Sequence, residues 1–153
     1  MLSKTLPQSP AELLRWEWSD FEPLSQELNE RRLTTENIEI WLSDWSALED
    51  AIAEKFNRLY YLNSANTADE GAQKAYEDFL NNFMPAWLEA QNRLQKQLLE
   101  SGLEVPGLEV QMRVMRTQTE LFREENLALL AEEATLSAEY DRILGSQTVE
   151  WNG

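Results

Sequence analysis

From Ile38 to Tyr60 the chain places apolar residues at Ile38, Trp41, Leu42, Trp45, Leu48, Ile52, Phe56, Leu59 and Tyr60, recurring every three or four positions. An α-helix gathers that spacing into one stripe, whereas a strand would scatter it over both faces. The pattern predicts a helix capped by Thr34 or Thr35 and running to about Asn63, roughly 40 Å long at 1.5 Å per residue. A helix of that length in a chain of 153 residues needs an equally long partner, so a hairpin of long helices is expected over 34–101.

The flanking sequence agrees with an all-α chain. Ser9-Pro10-Ala11-Glu12 reads as a capping box with proline at the first helical position, opening a short helix through Trp16. Ser19-Asp20-Phe21-Glu22 repeats the device for a second helix to about Arg31, with Pro23 in or just past the first turn, where it costs little. After a connector at 63–67, Thr67-Ala68-Asp69-Glu70 predicts the start of the helix that buries Tyr76, Phe79, Leu80, Phe83, Trp87, Leu88, Leu94 and Leu98. Pro85 lies inside it and predicts a kink, and Gly102 ends it. Val105-Pro106-Gly107 breaks the chain. A further helix carries Leu108, Met112, Met115, Thr119 and Phe122 on one face. Asn126 interrupts it, and a last helix with Leu127, Leu130, Tyr140, Ile143 and Leu144 stops at Gly145. The expected architecture is a single helical domain over 1–153, a bundle of about five to six antiparallel helices. Two short helices fill 1–32, the long hairpin 34–101 and the C-terminal helices 107–145. Only five glycines and five prolines interrupt it.

The last residues break the pattern. Thr148 to Trp151 alternate like a strand, and Asn152-Gly153 is the pair that tight hairpin turns prefer, because both positions take positive φ. Residues 146–153 therefore read as the start of a truncated hairpin, a short strand-like segment at the end of the front piece of a longer protein.

Charge and composition narrow the function. The formal net charge is −15, which repels nucleic-acid phosphates, and only short basic pairs such as Arg31-Arg32 oppose it. No nucleic-acid partner is expected. With neither cysteine nor histidine, disulfides and thiolate or imidazole metal sites are excluded. The amino terminus has no apolar core of signal-peptide length, and no window approaches the ~20 apolar residues of a membrane span. A cytoplasmic chain without a membrane partner is the expectation.

No residue stands out as catalytic, cofactor-binding or metal-ligating. Glu124-Glu125 and Glu132-Glu133 are the densest carboxylate pairs, but adjacent helical residues point about 100° apart and do not chelate. A di-iron bundle would need a Glu-x-x-His motif. Lys4, Lys55, Lys74 and Lys96 are scattered and read as solvated. Trp41 and Trp45, four apart on one helix, read as core. Trp16, Trp18 and Trp151, near segment ends, read as packing against a further domain. Met112 and Met115 read as adaptable packing.

Several strings, collinear along nearly the whole chain, resemble one family. Leu6-Pro7-Gln8-Ser9-Pro10, Leu14-Arg15-Trp16-Glu17-Trp18-Ser19-Asp20-Phe21, Leu33-Thr34-Thr35-Glu36-Asn37 and Trp41-Leu42-Ser43-Asp44-Trp45-Ser46 are similar to the start of oligoendopeptidase F-type zinc metallopeptidases, relatives of thimet oligopeptidase. So are Leu121-Phe122-Arg123-Glu124-Glu125-Asn126-Leu127 and the run from Glu139 to Trp151. The resemblance implies a mostly helical protein whose front helices wall a deep cleft that restricts substrates to short peptides. Its zinc would be held far downstream by a His-Glu-x-x-His helix and a later Glu, the first Glu activating water. None of those residues exists in this sequence. The implied partners are the catalytic domain of the same polypeptide and, in the full-length parent, an oligopeptide substrate and zinc. This chain alone is expected to be no enzyme, with no cofactor of its own and with an exposed apolar face through which it could dimerise. The alternative is a stand-alone acidic helical protein-interaction module.

Overall fold

The computed structural model describes Leu2 and residues 4–148, so the strand-like turn expected at Thr148–Gly153 lies almost wholly outside the described residues, as does Trp151. Every regular element among the described residues is helical: α1 (Pro10–Arg15), α2 (Trp18–Glu30), α3 (Ile38–Ala65), α4 (Glu70–Asp78), α5 (Met84–Glu100), α6 (Glu109–Leu121) and α7 (Leu127–Gly145). A π-turn over Phe79–Phe83 joins α4 to α5 without a break, so the two form one bent rod and the bundle has six helical rods.

Local chemistry sets each start. Ser9 Oγ accepts the Glu12 N–H at 3.3 Å with Pro10 behind it, as the sequence predicts. The other three caps move. α2 begins at Trp18, not after Ser19, because Asp20 rather than Glu22 reaches back, its carboxylate accepting the Glu17 N–H at 3.1 Å. Thr34 and Thr35 stay in a turn before α3: Asn37 Oδ1 accepts the Thr34 N–H at 2.9 Å, and Asn37 is the residue before the helix. Asp69, not Thr67, caps α4, its Oδ1 accepting the N–H groups of Gly71 and Ala72, both at 3.0 Å. Ser9 and Asp69 meet unpaired first-turn N–H groups, whereas Asp20 and Asn37 fix the backbone just ahead of their helices.

The predicted kink at Pro85 takes the form of the π-turn. The Met84 N–H bonds the Phe79 carbonyl, five residues back, and Pro85 follows in the first turn of α5, where its missing N–H leaves no gap. The bend splits the expected hairpin: α4 packs back along α3, while α5 packs mainly on α2 and α6. α2 lies against both α3 and α5, which is why its Phe21, Leu24 and Leu28 are wholly buried. Gly102, at φ +67°, terminates α5 in the left-handed conformation that glycine adopts without strain.

The core joins Leu13, Trp16, Phe21, Leu24 and Leu28 to Trp41, Trp45, Leu48 and Ile52, and to Phe79, Phe83, Trp87, Leu94 and Leu98. Trp16 packs edge-on to Phe21 at 4.9 Å, and Trp18 edge-on to Phe83 at 5.5 Å. The expectation that these two tryptophans await another domain is thus corrected. The short connection between α1 and α2 turns Trp16 onto Phe21 of α2 and Trp18 onto Phe83 of the π-turn, so each finds its aromatic partner within this domain. On the surface of this layer Arg31 pairs with Glu27 at 2.6 Å and Asp44 at 2.5 Å. Burial alone would raise the Asp44 carboxyl, but the guanidinium outweighs it and holds it below the ordinary range.

Lys55 departs most from expectation. It is 4% exposed, on the stripe between Ile52 and Leu59, and its Nζ donates to the Leu14 carbonyl at 2.9 Å, tying α3 to the end of α1. No carboxylate pairs with it among the described residues, and burial lowers its pKa below the ordinary 10.5. The native state therefore holds this proton less tightly than the unfolded chain. The penalty is complete at neutral pH and is relieved as pH rises through the native pKa towards 10.5. Lys55→Met is expected to stabilise the domain by about 1 kcal/mol at pH 7. Urea denaturation of both proteins at pH 7 and in the alkaline range should show the gain shrinking as pH rises.

Candidate docking surface

α7 is apolar on two sides. Leu127, Ala131, Ala134 and Ala138 follow a spacing of four, three and four and face the body of the domain, where Thr135 also bonds Asn81 of the π-turn at 3.4 Å. Leu129, Leu136, Tyr140 and Ile143 form a second stripe on the other side, and all four are exposed. The sequence reading of α7 is corrected here. Of Leu127, Leu130, Tyr140, Ile143 and Leu144, only Leu127 is buried. The inward contact is made by alanines because α7 lies close against α5 and the π-turn, and small side chains permit a close approach. The large side chains are left outside. A helix with two apolar stripes normally has both covered.

α6 repeats the arrangement. Met112 and Met115 are half-buried against the core, while Val110, Val114 and Leu121 are exposed and, with Arg113, Thr117 and Gln118, line a shallow groove of about 440 Å³. On α7 a hollow of about 580 Å³ runs between Leu129, Leu136 and Tyr140, with Glu132, Glu133 and Asp141 at its rim. Single exposed apolar residues are ordinary on a protein surface; whole stripes on neighbouring helices are not.

The carboxylate pairs that stand out in the sequence do not converge among the described residues. Glu124 and Glu125 sit in the exposed 3-10 turn before α7, and Glu132 and Glu133 are exposed on α7. Among the described residues no group of three or more Asp or Glu side chains gathers in the manner of metal ligands. Burial raises the Glu49 carboxyl; its Oε1 accepts from Gln91 Nε2 at 2.8 Å, which links α3 to α5. No helix among the described residues is long and apolar enough to cross a membrane.

Residues 12–124 match the Peptidase M3 N-terminal domain. The chain belongs to that family. No curated protein and no solved structure matches it. The match takes in α2 to α6 whole and most of α1, so the shared part of the M3 domain is the core together with the α6 groove, and α7 lies beyond it. Family membership implies a peptidase parent whose catalytic domain is a partner in the same polypeptide. Zinc, which the family implies for that parent, finds no fitting donor set in the M3 domain described here, which has no histidine or cysteine and no carboxylate cluster among its described residues.

Proposed function

We propose that this M3 domain is the non-catalytic front part of an oligoendopeptidase F-type zinc peptidase, walling the peptide cleft and limiting substrates to short chains. The two-sided apolar character of α7, with a second exposed apolar stripe on α6, carries the reading: these stripes dock the domain onto its catalytic partner. Family membership supports the same assignment. The rigid core beneath them, with Trp41, Phe21, Leu24, Leu28, Leu48, Leu94 and Leu98 fully enclosed, gives the wall its stiffness. The catalytic domain supplies the groups that hold zinc and activate water; this chain contributes shape and exclusion. Purified chain incubated with zinc and short fluorogenic peptides should show no turnover above the metal-only blank. Turnover that tracks the purified chain would overturn the assignment.

A further inference from the structure

Between α5 and α6 the packing leaves a cleft of about 190 Å³, lined by Leu88, Gln91, Asn92, Gln95, Gln118 and Phe122. Leu88 and Phe122 are its apolar walls; the other four side chains are all carboxamides. Asn92 is 5% exposed, yet its side chain makes no hydrogen bond among the described residues. What remains accessible of Asn92 includes its amide oxygen and nitrogen, so the carboxamide turns to the cleft and to the water in it, not into the core. Its neighbours are half-spent. Gln95 Nε2 donates to Gln118 Oε1 at 3.1 Å, which leaves Gln95 Oε1 and Gln118 Nε2 unpaired. Gln91 Nε2 is committed to Glu49, which leaves Gln91 Oε1.

The cleft therefore offers donors and acceptors together, with no ionisable side chain in its lining. A charged ligand would leave water without meeting a counter-charge. A purely apolar ligand would leave the carboxamides unpaired. The chemistry that fits is a neutral group carrying a donor and an acceptor side by side, flanked by carbon that can lie on Leu88 and Phe122. We propose that this cleft binds an amide, either the carboxamide of an Asn or Gln side chain or the peptide group of an extended segment. Its volume is several times the ~30 Å³ of a liquid water, and an amide displaces such water while replacing its hydrogen bonds. Binding needs this chain alone, so it holds whatever the catalytic partner does.

The test is a titration of the ¹⁵N-labelled chain with propionamide, with N-methylacetamide and with methyl acetate, which lacks the donor. The side-chain NH₂ resonances of Asn92, Gln95 and Gln118 report. Saturable shifts with an amide, at least about tenfold weaker with the ester, are expected; the stronger of the two amides identifies side-chain or peptide-group recognition. Asn92→Leu should weaken binding at least about tenfold. Gln118→Leu, at an exposed position where folding is not at stake, should do the same. Shifts that never saturate, an equal response to the ester, or a Gln118→Leu protein that titrates like the native chain would overturn the proposal.

Discussion

Trp41→Ala is expected to destabilise the domain by about 4 kcal/mol, enough to unfold most domains of this size at moderate temperature. Trp41 is 1% exposed and packs edge-on to Trp45 at 5.0 Å. Its indole Nε1 donates to the Leu28 carbonyl at 2.9 Å, in the last turn of α2. Removing the ring opens a cavity at the meeting of α2 and α3 and strips a partner from a buried carbonyl. That same carbonyl accepts a longer bond from Gln97 Nε2 at 3.2 Å, so α5 only partly replaces the loss. Trp41→Phe separates the two contributions: it keeps much of the bulk, loses the hydrogen bond, and is expected to cost about half as much. Urea denaturation followed by circular dichroism measures both. A Trp41→Ala midpoint equal to that of the native chain would show that this junction does not hold the bundle.

Leu136→Glu with Tyr140→Glu is expected to leave the isolated domain as stable as before, within about 0.5 kcal/mol, because both side chains already stand in solvent, at 58% and 61% exposure. Docking should respond very differently. Two large apolar anchors at the middle of an interface contribute about 1.5–3 kcal/mol each when covered, and carboxylates in their place would have to be desolvated. Affinity for the catalytic domain should fall by about a hundredfold or more. The control is Glu100→Gln at the end of α5, away from both apolar stripes, which should leave docking unchanged. The contrast between unmoved stability and collapsed docking separates an interface from a core.

Much of this fold is legible in the sequence. The three- and four-residue spacing from Ile38 to Leu59 fixes both the long helix and its inner face, and Trp41, Trp45, Leu48 and Ile52 lie where it puts them. Lys55 falls on that stripe, so its burial was readable from position; residue type pulled the other way. Cap positions differ by two or three residues from those the sequence suggests, because Ser19, Asp20, Thr34, Thr35, Asn37, Thr67 and Asp69 are all competent near a helix start. Pro85 announces a disturbance, but a kink and a π-turn both accommodate its missing N–H. α7 was the hardest to read. Alanines and leucines are both apolar, so the sequence declares two candidate faces and does not say which is turned inward. The carboxamide cleft is invisible in one dimension, since Asn92 and Gln95 meet Gln118 only after α6 folds back on α5.

Calorimetric titration of this domain with the separately produced catalytic domain of its parent peptidase tests the central claim most directly. Saturable one-to-one binding in the micromolar range or tighter, lost in the Leu136→Glu, Tyr140→Glu double variant, is the predicted result. A native domain that gives no binding, or a double variant that binds as tightly as the native one, would contradict the claim that these outer stripes are built to hold a catalytic partner.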